Sequence, residues 1–275
     1  MLQVLKRLNG FNGVAWGSKA SVALPAGPTY TEIHLETSLT AAQIRRVNVV
    51  LNGDTIVTVS GADLVMMEKY KKHHVQEATF DEEGELTQKG IFVIPLTNPT
   101  AKNQIGANFG GLVTLQGENI TLEVETVEGS GNISLSGFTY TTEAQGRRIW
   151  EPNIKTHIFQ ANSTGLNDYP SFPGGDRDFL RRAYFKGDLL SLKLERDGTT
   201  LFDATKGVYE FQQTRVGRVP QAGIFAFDPT IYGYEMADVL NTGKVSEFVF
   251  RMDLGTAAAV PILVESVKQV ASLQA

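Results

Sequence analysis

One order of short segments is written twice along this chain, and no other feature narrows the possible folds as far. The first copy runs through an apolar strand signal at residues 47–51, the dipeptide Asn52-Gly53, a second apolar run at 56–59, a polar stretch, and then Gly90-Ile91-Phe92. The second copy runs through 190–194, Asp197-Gly198, Leu201-Phe202 and Gly223-Ile224-Phe225 in the same order. Asx-Gly dipeptides accept the positive φ angles of tight two-residue turns, so each copy predicts a local hairpin. The two Gly-Ile-Phe triplets lie about 130 residues apart, and Trp16 and Trp150 share a similar spacing. That is the length of one β domain and far beyond a solenoid repeat.

The rest of the chain carries the matching period. Apolar and polar residues alternate in Ile33-His34-Leu35-Glu36, Ile120-Thr121-Leu122-Glu123-Val124 and Leu190-Ser191-Leu192-Lys193-Leu194, which turns one face of each strand toward a core. Further strand signals fall at 91–96, 133–140, 225–227, 248–254 and 261–267, most of them bounded by Gly, Pro, Asn or Asp. Helical signals are short. Thr40 with Gln43 three residues on reads as a capping box, and Asp63 reads as the cap of a segment at 64–71. Leu2, Leu5 and Leu8 share one helical face beside Lys6 and Arg7, which predicts a small amphipathic arm over residues 1–8. The polar stretch 141–148 breaks the alternation and divides the chain near residue 143, into domains 1–143 and 144–275. Residues 160–178, with Pro170, Pro173, Gly174 and Gly175, read as a long surface loop.

Composition excludes several functions. With 42% hydrophobic and 20% charged residues the chain can bury a sizeable core. A net charge of -5 argues against a surface built throughout for nucleic acid, so no sequence-specific nucleic-acid partner is expected. The absence of cysteine removes disulfides, thiol nucleophiles and cysteine metal sites, and suits synthesis in a reducing cytoplasm. The longest apolar stretch, 257–264, is too short to span a bilayer and contains Pro261. The N-terminal residues lack the uninterrupted apolar region of a secretory signal.

Chemistry-bearing motifs are absent: no Walker A loop, dinucleotide fingerprint, GxSxG elbow or HExxH helix occurs, and the chain reads as no enzyme. His34 and His157 sit in alternating strand contexts, as solvated or hydrogen-bonded imidazoles. His73-His74 closes the basic run Lys69-Tyr70-Lys71-Lys72, whose cations disfavour metal binding there. Lys69, Lys71 and Lys72, with Lys6 and Arg7 of the arm, are the candidates for contact with phosphate or lipid headgroups. Acidic clusters lie at Asp81-Glu82-Glu83-Gly84-Glu85 and at Asp176-Arg177-Asp178. Neither has EF-hand spacing, and Asp176 and Asp178 are the residual metal candidates. Tyr169 and Phe172, in the predicted loop, are the one aromatic pair that could form a sugar-binding platform.

The segment Leu24-Pro25-Ala26-Gly27-Pro28-Thr29-Tyr30, followed by Thr40-Ala41-Ala42-Gln43-Ile44 and the valine-rich run Val47, Val49, Leu51 to Gly53, resembles the major capsid protein of corticoviruses. A fainter likeness continues at Asp197-Gly198-Thr199. The resemblance implies an all-β chain of two tandem eight-stranded jelly rolls with short helical inserts. It further implies a homotrimeric, pseudo-hexagonal capsomer of an icosahedral bacteriophage shell over an internal membrane. Its partners would be copies of itself, neighbouring capsomers, the viral membrane and minor capsid proteins. No cofactor is required, although calcium between subunits belongs to the resemblance. The chain would be made in the host bacterial cytoplasm and reside in the virion. The competing readings are a jelly-roll carbohydrate-binding module or lectin, which needs the Tyr169 and Phe172 platform, and a sandwich-fold glycoside hydrolase, which needs two accessible carboxylates.

Overall fold

A computed structural model describes residues 3–272. The first half contains β1 (Val4–Arg7), β2 (Lys19–Leu24), β3 (Thr29–Thr37), β4 (Ile44–Leu51), β5 (Asp54–Val59), β6 (Thr79–Phe80), β7 (Leu86–Gln88), β8 (Gly90–Pro95), β9 (Leu112–Val113), β10 (Ile120–Thr126) and β11 (Leu135–Thr142). The second contains β12 (Trp150–Gln160), β13 (Gly165–Tyr169), β14 (Asp178–Lys186), β15 (Leu189–Arg196), β16 (Thr199–Thr205), β17 (Ile224–Phe227), β18 (Leu240–Asn241), β19 (Phe248–Leu254) and β20 (Ala259–Gln269). Helices α1 (Gly61–Tyr70), α2 (Gln104–Asn108) and α3 (Lys206–Arg215) interrupt them.

Each half folds into two facing four-stranded sheets with the same connectivity. The first pairs β1-β11-β3-β8 and β2-β10-β4-β5; the second pairs β12-β20-β14-β17 and β13-β19-β15-β16. Eight strands in this order make a jelly roll, so the chain is a double jelly roll, as the resemblance implies. The duplicated sequence order is the duplicated topology. Strands β4 and β15 turn through Asn52 (φ 51) with Gly53 (φ 93), and through Asp197 (φ 49) with Gly198 (φ 77), into β5 and β16. A helix follows in each half, α1 in one and α3 in the other, and the Gly-Ile-Phe triplets then open β8 and β17. Trp16 and Trp150 are not equivalent, however: Trp16 lies between β1 and β2, whereas Trp150 begins β12.

Alternation builds the cores. Ile120, Leu122 and Val124 of β10 are buried, opposite Leu51, Val49 and Val47 of β4 on one side and Leu24, Val22 and Ala20 of β2 on the other. In the second half the interior is aromatic: Phe250 lies 4.8 Å from Phe172, 5.3 Å from Phe185 and 5.6 Å from Phe227, centroid to centroid. Burial of each such ring contributes roughly 1.5–3 kcal/mol. The two jelly rolls are joined side by side, because β5 of the first pairs in parallel with β12 of the second at Val57 and Ile154. One nine-stranded sheet therefore runs through both halves.

Three local expectations are corrected. Residues 4–7 of the predicted amphipathic arm are a strand, with Leu5 opposite Tyr140 and Arg7 opposite Phe138; Met1 and Leu2 lie outside the described residues. An open edge of β11 offers unpaired amides and carbonyls, and a short segment satisfies more of them as a strand than as a helix. Leu8 then packs over Gly137, where a Cβ would stand 2.8 Å from its Cδ1. The predicted loop 160–178 contains β13, an edge strand whose alternation is short and broken by polar residues. Helix α1 is capped by Ser60, whose hydroxyl accepts from the Asp63 amide, while Asp63 returns the bond to Ser60 as the third residue of a capping box. The Thr40–Gln43 box is present as predicted, on a 3₁₀ turn at Ala41–Gln43.

Candidate functional site

The most demanding construction in the molecule is the seam where helix α1 of the first jelly roll lies on the outer face of β14 and β17 of the second. Alternation along β14 sends Phe185 and Ala183 into the second core and Tyr184, Arg182 and Lys186 toward α1. The Tyr70 ring meets the Tyr184 ring edge-on, centroids 5.5 Å apart. Lys186 pairs with Asp63. The Gln221 side chain donates to the Met66 carbonyl at 2.9 Å, and the Val219 amide donates to the Tyr70 carbonyl at 2.9 Å. Tyr184, Ala226 and Leu263 of the second half thereby join the hydrophobic core of the first.

Beneath this contact lies a buried ionic cluster with Arg182, 1% exposed, at its centre. Its guanidinium donates to Glu265 Oε2 at 3.0 Å, to Thr230 Oγ1 at 2.8 Å and to Glu235, and its Nε lies 3.3 Å from Asp228. Arg181 crosses into the first jelly roll and donates to the Leu96 carbonyl at 2.9 Å and to the Phe109 carbonyl. Asn98 reaches back from the first jelly roll to Glu235 at 2.6 Å, and the Tyr70 hydroxyl donates to Asp228 at 3.2 Å. Arg218 adds a second cation 3.3 Å from Asp228, and Lys71 pairs with Glu68 at 2.9 Å. Four cations (Arg181, Arg182, Arg218, Lys71) thus face four carboxylates (Glu68, Asp228, Glu235, Glu265), which is how so many charges are tolerated away from water.

Electrostatics follow from this arrangement. Burial alone would raise the Glu235 carboxyl, but Arg182 and Arg181 outweigh it and bring it down to about 2. Burial likewise opposes ionisation of Glu68, and Lys71 and His73 bring it down to about 2. Tyr184 is pushed well above the ordinary phenol range by burial and then by the Glu265 carboxylate, to which its hydroxyl donates at 2.9 Å. The seam therefore holds carboxylates kept ionised and phenols kept neutral, which suits a joint.

Of the basic run, Tyr70 and Lys71 are absorbed into this joint, while Lys69 and Lys72 stay exposed. Lys72 adopts φ 62 at the end of α1, its amide donating to the Lys69 carbonyl at 3.0 Å while His73 donates to the Glu68 carbonyl at 3.0 Å, a Schellman termination. Lys71 points inward and is buried, Lys69 pairs with Glu77 at 3.3 Å, and His73 Nδ1 lies 2.9 Å from Glu68. Of the phosphate candidates, Lys71 is therefore committed internally, Lys72 stays exposed, and Lys6 and Arg7 stand on the separate edge strand β1. His34 lies 3.0 Å from Glu32. Asp178 and His157 share a polar groove of about 560 Å³ with Glu151, Lys155 and Lys268, and burial followed by Lys155 lowers the His157 imidazole. Among the described residues no three of His, Asp and Glu gather as a metal set, at Asp176 and Asp178 or elsewhere. Tyr169 and Phe172 are both 6% exposed and meet edge-on in the second core, so the aromatic platform expected of a sugar-binding module is not there. Sequence reasoning missed Arg181, Arg182, Asp228, Glu235 and Glu265. Their signal, two adjacent arginines in an otherwise apolar strand, is visible only once β14 is known to be covered on both faces.

Two jelly rolls of one connectivity, fused through a shared sheet and a polar joint, define a double jelly-roll protein. The family models for the viral coat protein P2 N-terminal domain and the viral coat protein P2 C-terminal domain match residues 5–142 and 151–270, and the chain belongs to this viral coat protein family. In fold it is similar to the major capsid protein P2 of bacteriophage PM2, with 17% identity, a TM-score of 0.85 and coverage of 99% of each chain. It is also similar to a protein in the atomic structure of Sulfolobus turreted icosahedral virus (12% identity, TM-score 0.68, covering 98% of this chain and 91% of that one). The Faustovirus major capsid protein is a third (6% identity, TM-score 0.62, covering 98% and 90%). No curated protein sequence matches the chain.

Proposed function

We propose that this chain is the major capsid protein of a tailless, membrane-containing bacterial virus, dividing near residue 143 into two jelly rolls. Three copies form a pseudo-hexagonal capsomer of the icosahedral shell. The observation that carries this reading is the side-by-side fusion of two jelly rolls with one connectivity: three such chains place six similar barrels around a threefold axis, which fits a six-neighbour lattice site. The role is structural and not enzymatic, as membership of a viral coat protein family implies. Neighbouring capsomers, minor capsid proteins and the internal membrane are the expected partners, with Lys6, Arg7, Lys69 and Lys72 the exposed candidates for anionic headgroups. A calcium ion between subunits would have to draw ligands from two chains, since the described residues of one chain assemble no set of three. Native mass spectrometry of the purified protein tests the central statement: trimers are expected at micromolar concentration and neutral pH, and a strictly monomeric species overturns it.

A further inference from the structure

The joint inside the chain is a template for a joint between chains. Helices α1 and α3 occupy the same position in the two jelly rolls and have the same length, ten residues each, so their residues correspond one to one. Helix α1 touches the second jelly roll through the side chains of Asp63 and Tyr70 and the backbone carbonyl of Met66, positions at the i, i+3, i+7 spacing of one helical stripe. The corresponding residues of α3 are Val208, Phe211 and Arg215. Among the described residues nothing covers them: Val208 is 67% exposed, Phe211 is 70% exposed, and Arg215 is exposed. Two large apolar side chains on one stripe of a short helix, turned to water, make an unpartnered face.

The acceptor surface is set by the same correspondence. The Gly-Ile-Phe triplets align Ile224 with Ile91, and strand register then aligns Lys186 with Glu36, Tyr184 with His34 and Ala226 with Val93. One step further along the same face, Arg182 corresponds to Glu32. The face that receives α1 is thus basic (Arg182, Lys186) and takes an acidic residue, Asp63. Its counterpart on β3 and β8 is acidic (Glu32, Glu36) with Ile91 37% exposed, and the helix that corresponds to α1 carries Arg215 where Tyr70 stood. On the helix side the charge is displaced rather than exchanged in place: Val208 stands where Asp63 stood, and the cation, Arg215, lies seven residues further on, so one basic residue still meets the acidic face.

From this we infer that α3 of one copy docks on the outer face of β3 and β8 of a second copy, with Val208 and Phe211 against Ile91 and Val93, and Arg215 against Glu32. The contact is head-to-tail: each chain offers one helix and one sheet face, so it propagates around a ring and closes where the last copy meets the first. It specifies the partner surface of the capsomer proposed above and rests on that reading.

The chain has no cysteine, so introduced thiols report cleanly. Phe211→Cys and Ile91→Cys are made separately and mixed with a short bifunctional maleimide after subunit exchange. Covalent dimers are expected in the mixture and in neither variant alone, and the doubly substituted chain is expected to give covalent trimers. A second arm reads the charges: Arg215→Glu lowers the trimer fraction at least tenfold in native mass spectrometry, and adding Glu32→Arg to the same chain restores it. Unchanged circular dichroism shows that these surface variants still fold. A trimeric wild type with no cross-link in the mixture, or Phe211→Cys cross-linking to itself, overturns this contact and leaves the capsomer standing. A monomeric wild type overturns both.

Discussion

Replacing Arg182 by methionine tests the internal joint at its centre. Methionine fills much of the same volume, so the change removes charge and hydrogen bonds while costing little packing. The lost partners are Glu265, Thr230, Glu235 and Asp228, all reached by one guanidinium that is 1% exposed. Breaking a buried ion pair from one side costs roughly 3–5 kcal/mol, because the other charge is left without compensation. Arg218 still lies 3.3 Å from Asp228 and Arg181 3.6 Å from Glu235, so a value near the lower end, about 3 kcal/mol, is expected. That is a large share of the roughly 5–15 kcal/mol that holds a domain folded. The sign of the pH dependence separates this cause from lost packing. In the wild type Glu235 titrates at about 2, below its unfolded value, so its contribution is present above the unfolded pKa and is lost only as pH falls toward 2. Without Arg182 the burial of Glu235 gains weight, the carboxyl moves upward, and the variant is penalised at neutral pH and relieved on acidification. Urea unfolding at one protein concentration, at pH 7 and pH 5, should show the gap between variant and wild type shrinking at the lower pH. A loss under about 1 kcal/mol at pH 7, or a gap independent of pH, refutes the reasoning.

Three further outcomes are expected. The wild type should lose stability as pH falls from about 4.5 toward 2, because Glu68 and Glu235 both titrate at about 2 when folded; each contributes on the order of 3 kcal/mol, read by acid unfolding monitored through tyrosine fluorescence. Gly61→Ala should destabilise by roughly 1–3 kcal/mol in thermal unfolding despite alanine's higher helix propensity, since its Cβ would run into the Ala41 carbonyl oxygen and stand 2.9 Å from Ile44 Cβ. Asp197→Ala should loosen the 245–247 segment, because the Asp197 carboxylate accepts from the amides of Val245, Ser246 and Glu247, which hold it well below the usual carboxylate range. Hydrogen exchange at those three amides measures it, and unchanged protection would show the contacts to be incidental.

The fold was legible because its determinants are local and periodic. Alternation in residues such as Ile120, Leu122 and Val124 places a strand without knowledge of its neighbours, and Asn52-Gly53 and Asp197-Gly198 announce their hairpins by backbone conformation alone. Elements whose state is decided by tertiary partners were not legible. Residues 4–7 became a strand because β11 had a free edge, and β13 formed within an apparent loop because β19 could pair with it. Helix α3 was invisible to a search for an apolar stripe facing inward, since only Tyr209 and Gln213 of its ten residues are buried. The polar joint was hidden for a related reason: Lys71 reads as one more solvated lysine until the chain folds a carboxylate onto it.

The contrast between the two helices also accounts for why the joint is polar. A jelly roll buries its interior with apolar residues, and an apolar outer face of equal quality would let the two halves pair in several registers. Directional contacts remove that freedom: Arg181 must find the carbonyls of Leu96 and Phe109, Asn98 must find Glu235, and Tyr70 must find Asp228, at positions that one relative orientation supplies. Such a cluster adds little net stability over a well-packed apolar contact, but its partial disruption is costly, so misaligned halves are penalised heavily. A shell subunit needs this property more than it needs stability, because an angular error between its two barrels would be repeated at every copy in the lattice.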